Sequence, residues 1–197
     1  MEQPNTEGVV AGLRPNAPRT PPSGDRPAGD SGPSPEQISI AYHEAGHAVI
    51  ARVLAVLSGG IWLDGNGEEL GGVTVADPWL ILDTWMERKK YRGESSALRA
   101  RIIAYMAGRE AELAFVGTQL RRNDGDHDEI ATMLEALSVP ITGESSSADR
   151  ERYGERLRKR TRAMVRRHSR EIHRLAAEVQ KRGSLRLHEI DLILSRI

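Results

Sequence analysis

His43, Glu44 and His47 stand in the string Ala41-Tyr42-His43-Glu44-Ala45-Gly46-His47. On a helix, positions i and i+4 lie one above the other, so the two imidazoles can share one metal ion. Glu44 lies about a hundred degrees further round, within reach of a metal-bound water. Such a trio performs hydrolysis: zinc with three protein ligands leaves a fourth position for water, and a neighbouring carboxylate takes that water's proton. The chain has no cysteine, so any metal must be held by histidine and carboxylate. Gly46 costs a helix about 1 kcal/mol relative to alanine, which points to something approaching closely beside His47. The competing reading is a pair of hydrogen-bonded core histidines around a salt-bridged glutamate.

A third ligand has to come from elsewhere in the chain. The metzincin continuation is absent, because Ile50 and Val53 occupy its glycine and histidine places. Glu68 and Glu69 fall in a glycine-rich hairpin. The acidic cluster Asp124-Gly125-Asp126-His127-Asp128 remains. Helical phase puts Asp126 on one face with Ile130, Met133, Leu134 and Leu137, whereas Asp128 lies about 200 degrees away from Asp126. Asp126 is the preferred ligand, with Asp128 and His127 in reserve.

The elements that must position these residues are legible in outline. Ser34-Pro35-Glu36-Gln37 has the form of a capping box with proline at the first helical position. The helix it opens is expected to run to about Leu57 and to stop at Ser58-Gly59-Gly60. His43, His47, Ile50, Leu54 and Leu57 share its core-facing side. Strands are expected at Ile61–Asp64 and Gly72–Ala76, with a turn at Gly65-Asn66-Gly67 and a stop at Asp77-Pro78. Trp79 to Arg92 reads as partly helical. A further helix spans about Ser95 to Val116-Gly117, with Leu98, Ile102, Met106 and Leu113 inward, and another starts near Asp126. Residues 143–150 read as a Gly/Ser linker, followed by helices over about 150–181 and 187–196 divided by Gly183-Ser184. The expected fold is mainly α (α+β), with a small β-hairpin.

Eight of the ten prolines lie between Pro4 and Pro35. Residues 1–33 therefore read as a disordered tail, and 34–197 as one folded domain with a core over 34–142 and a helical pair over 150–197. Basic and acidic residues number 28 each, so no global field steers a charged partner. The start of the chain does not resemble a secretory leader, and the apolar stretch Ala48–Leu57, broken by Arg52, is too short to cross a bilayer. The expectation is a soluble cytoplasmic protein without membrane contact. Residues 150–186 carry 14 basic against 4 acidic residues. They read as a solvated amphipathic helix in preference to a nucleic-acid site.

The chain resembles the peptidase domain of FtsH-type zinc proteases, in a form without the ATPase module. The matching stretches are Ala41–Ala48, Leu70-Gly71-Gly72-Val73-Thr74 and Ala107-Gly108-Arg109-Glu110-Ala111-Glu112. Gly125-Asp126 and the apolar positions after it echo the family's Asp-led helix. His168, Leu175-Ala176, Gly183-Ser184-Leu185 and Glu189-Ile190 echo its C-terminal helices. Together these cover about 34–197, although the first half of the linker after the hairpin is unlike the family.

The resemblance implies a zinc endopeptidase with His43, His47 and Asp126 as ligands and Glu44 as general base. It also implies an edge strand over Gly72, Val73, Thr74, Val75 and Ala76 that pairs with an extended substrate. Glu112 would orient a ligand histidine, or else pair with Arg109 at the surface. No G-x-x-x-x-G-K-[ST] string occurs, so the expected substrates are unstructured polypeptides, with a separate unfoldase as a partner for folded ones. The family forms hexameric rings, which makes homo-oligomerisation a further expectation. The rival class of function is a zinc-containing interaction module that has lost catalysis.

Overall fold

The computed structural model describes residues 33–56, 58–63, 72–75, 94–118, 125–138 and 146–195. The first helix, α1 (Pro35–Val53), opens as expected: Ser34 Oγ accepts the Gln37 backbone N–H, and Gln37 Oε1 accepts that of Ser34. It ends earlier than expected. Ala55 takes a left-handed φ of 58°, its N–H bonds to Arg52 O, and the Val56 N–H reaches back to Ala51 O at 2.8 Å. This is a Schellman closure with alanine where glycine is usual. Val56 and Ala51 are both buried in one apolar cluster, and that contact holds the strained residue in place. A sequence reading that waits for glycine passes over such a stop.

The chain then enters β1 (Ser58–Trp62), which pairs antiparallel with β2 (Gly72–Val75). Ile61 faces Val73 and Trp62 faces Gly72, with an irregularity between Ser58 and Ile61. The glycines expected to stop the helix thus lie inside a strand. At Gly60 a Cβ would sit 2.6 Å from Leu185 O, so only glycine admits the neighbouring backbone. That neighbour is β3 (Ser184–Leu185), a two-residue strand not anticipated from the sequence, giving the order β2-β1-β3. The expected turn at Gly65-Asn66-Gly67, the Asp77-Pro78 stop, the 79–92 segment, the 1–32 part of the tail and most of the 143–150 linker lie outside the described residues.

Helix α2 (Glu94–Phe115) lies against α1, and α3 (Asp126–Ser138) and α4 (Ser147–Arg167) follow on its other sides. The α1–α2 contact is built from small residues. Ala41, Ala45 and Ala48 on one helix, and Ala104, Ala107 and Ala111 on the other, are fully buried. A Cβ at Gly46 would meet Ala107 O at 2.6 Å and Ala111 Cβ at 2.8 Å. The close approach that Gly46 permits is therefore that of the α2 backbone, not that of a ligand. Leu113, expected inward, is exposed at 38%, because α2 turns that side away from its neighbours.

The basic segment is two helices, α4 and α5 (Ser169–Arg182), broken at His168, whose φ/ψ of −103°/27° leaves the helical region. Ile172, Leu175, Ala176 and Val179 of α5 are buried, and α5 packs on α1. The last helix is α6 (Leu187–Ser195), held to α1 by Arg52 Nε donating to Asp191 at 2.7 Å. The chain is thus mostly helical, with six helices and a small antiparallel sheet among the described residues. None of these helices is long and apolar enough to cross a membrane.

Candidate metal centre

Three helices contribute to one buried cluster. His43 and His47 project from the middle of α1, where both are almost wholly shielded from solvent. Asp126 is the first residue of α3, and its Oδ2 lies 3.1 Å from His43 Nε2 and 3.0 Å from His47 Nε2. A carboxylate at a helix N-terminus is favoured there by the unpaired N–H groups. One ligand atom from each residue falls within 4.8 Å of the others, so the trio can hold a metal ion. Bonds of about 2 Å in a tetrahedron separate ligand atoms by roughly 3.3 Å, close to the spacing observed. His127 and Asp128, the reserve ligands, are exposed and stand outside the cluster.

The orientation of both rings is fixed by α2. His47 Nδ1–H donates to the Ala104 carbonyl at 2.7 Å. His43 Nδ1 faces Glu112 Oε2 at 3.2 Å, and the other Glu112 oxygen accepts the Ser39 hydroxyl. With Nδ1 committed as donor on each ring, both Nε2 atoms face Asp126 across the shared space, where each can give up a proton and ligate a metal ion. Glu112 is wholly buried and Arg109 is exposed, so Glu112 supports His43 instead of forming a surface pair with Arg109. Tyr105 stands edge-on to His47, with ring centres 6.2 Å apart. Its hydroxyl accepts from Arg101, which also faces Glu129 of α3 at 3.5 Å. This link holds α3, and with it Asp126, beside α2.

Electrostatics match the geometry. Burial disfavours a charged imidazole, but hydrogen bonds to Asp126 and Glu112 and the nearby Glu44 carboxylate outweigh it and push His43 up to about 10. For His47 burial is likewise outweighed, chiefly by Asp126, so its pKa is raised. Burial would raise Asp126 too, yet the two imidazoles hold it well below the usual carboxylate range. The site is a shielded pocket in which three carboxylates favour positive charge between them. Glu44, itself buried, acts on both rings.

Two features of the site went unread in the sequence. Gly108 lies on α2 midway between Ala104 and Glu112, at the i+4 spacing that stacks all three on one face. A Cβ there would sit 2.4 Å from His47 Nε2 and 2.7 Å from His43 Nε2, so Gly108 leaves room for whatever the rings hold. Its signal was a glycine inside a strongly helical stretch, one turn before a buried glutamate. The Ala104 carbonyl has no side-chain signal. The expected substrate strand Gly72, Val73, Thr74 and Val75 is β2, which lies beside β1 and at the edge of the sheet among the described residues. No protein-family model matches the chain, and no curated protein matches it either.

Proposed function

We propose that the chain is a zinc-dependent endopeptidase of the FtsH type. What supports this most is the meeting of His43, His47 and Asp126, with both Nδ1 atoms already engaged by α2. Two imidazoles and one carboxylate, with no sulfur, form a donor set suited to catalytic zinc. His43 and His47 would hold the ion through Nε2 and Asp126 through Oδ2. When bound, zinc supplies a Lewis acid that acidifies water and polarises a carbonyl.

The chain's own residues do the rest. Glu44 accepts a proton from the attacking water on its carboxylate and hands it to the leaving amine nitrogen. Glu112 keeps His43 in the tautomer whose Nε2 is free to ligate. The edge strand Gly72–Val75 offers backbone groups to an extended polypeptide by strand addition. An extended, unstructured polypeptide is the substrate that such pairing suits, and an unfoldase would deliver folded ones.

Glu44→Gln is the direct test. The variant should retain stoichiometric zinc and lose at least about 100-fold in casein cleavage. A wild-type protein that takes up no zinc, or a variant that cleaves at the wild-type rate, would overturn the reading.

A further inference from the structure

The hydrolytic reading leaves unused a strongly basic surface on α4. The buried side of α4 is formed by Gly154, Leu157, Thr161 and Val165. The opposite side carries Arg156, Lys159, Arg160, Arg166 and Arg167, all exposed. At 100 degrees per residue these five fall within an arc of about 120 degrees centred away from the core, and Ala163 is the one neutral member of the row. The row runs along about 16 Å of helix axis.

Other cations of α4 have carboxylate partners: Arg150 with Glu135, Arg152 with Asp149, Arg158 with Glu155 and Arg162 with Glu110. None of the five on the outer row has an acidic partner among the described residues. Arg156 lies over the Tyr153 ring, with 5.3 Å to its centre. The apolar side of this helix is spent on the core, so the row of like charges gains nothing from folding. Repulsion between neighbours one turn apart opposes it.

We propose that the outer face of α4 binds the phosphate backbone of duplex nucleic acid. The chemistry of the face separates this partner from the others that carry negative charge. A helix attaching to an anionic membrane sinks an apolar side into the interface, and here that side is turned inward. A stable protein interface has an apolar or aromatic centre, and this face has only Ala163. Single strands are held by bases stacked on aromatic side chains; the aromatic beside this row is Tyr153, half-buried and already stacked by Arg156. Duplex phosphates are held by cations alone, with arginine favoured for its paired donors. Four of the five are arginine. This inference stands apart from the metal centre and survives if the peptidase reading fails.

The test uses the full chain and a fluorescein-labelled 20-base-pair DNA duplex, followed by anisotropy at several salt concentrations. Five phosphate contacts predict a log–log salt slope of about −4.5, or roughly a 500-fold loss of affinity between 50 and 200 mM salt. The triple variant Arg156→Glu/Lys159→Glu/Arg160→Glu should abolish binding while leaving helical circular dichroism and zinc uptake unchanged. If that variant fails to fold, Arg166→Gln/Arg167→Gln replaces it and should reduce the slope by about 2. No binding by wild type at 50 mM salt would overturn the proposal. Equal binding by a folded variant would do the same. Binding to phosphatidylserine vesicles or to polyglutamate but not to the duplex would also overturn it, in favour of a membrane or an acidic protein.

Discussion

Alanine at position 108 would set a methyl carbon 2.4 Å from His47 Nε2 and 2.7 Å from His43 Cδ2 and Nε2. Ordinary contact begins near 3.4 Å, so one or both rings must withdraw by about 1 Å. Neither ring is free to do so cheaply, since each is pinned through Nδ1, one to the Ala104 carbonyl and the other to Glu112. Metal–ligand bonds tolerate about 0.2 Å, so a retreat of that size breaks at least one of them. Metal affinity should fall at least about 100-fold, or about 2.7 kcal/mol. Fold stability should change less, by about 0–2 kcal/mol, because overpacking of about 1–3 kcal/mol is offset by about 1 kcal/mol of helix propensity.

Gly46→Ala makes the same chemical change where the obstacle is the Ala107 backbone. It should lower thermal stability while the surviving folded protein binds metal normally. Zinc titration against a chromophoric chelator, beside calorimetric melting, separates the two effects. Gly108→Ala binding zinc within threefold of wild type, at full stoichiometry, would refute the steric argument.

Glu112→Gln preserves shape but removes the charge that supports His43, and should weaken zinc binding by roughly 10- to 100-fold; a chelator titration indistinguishable from wild type would count against that support. Ala55→Gly relieves a left-handed alanine at the α1 terminus and should stabilise the fold by roughly 0.5–1 kcal/mol, or about 2–3 °C in Tm; a lower Tm would show that the Schellman closure costs nothing. Glu189 accepts the Arg186 backbone N–H at 2.7 Å and pairs with Arg182, and these hold its carboxyl below the usual range. A depressed folded pKa contributes stability that is present above the ordinary glutamate value of about 4.3 and is lost as pH falls through the folded value. Glu189→Gln should therefore flatten the decline of Tm below about pH 4.5; an unchanged profile would show that the carboxylate contributes nothing.

How much of this was legible depended on where the information sat. His43 and His47 could be read because two like side chains four apart define a helical face without reference to the rest of the chain. Asp126 could be read because its phase with Ile130, Met133 and Leu137 is equally local. Glu112 was visible as a motif residue, but its attachment to His43, across 69 positions, could only be one of two readings. The Ala104 carbonyl, the hydroxyl of Ser39 and the room left by Gly108 depend on how α1 lies on α2, and no pattern within one segment encodes that. The helix stop at Ala55 and the two-residue β3 share a different cause. Both are imposed by tertiary contacts on residues whose own preferences point elsewhere.

The two closures of α1 bear on how an ion would leave. Ser34 and Gln37 seal one end of the helix, and the turn through Ala55 and Val56 seals the other. Thermal opening of a helix normally starts at its ends, and here both ends resist it. The turn from His43 to His47 should exchange its amide protons only with global unfolding. An ion held there would escape by ligand substitution through solvent, at a rate set by chelator concentration and not by breathing of the backbone.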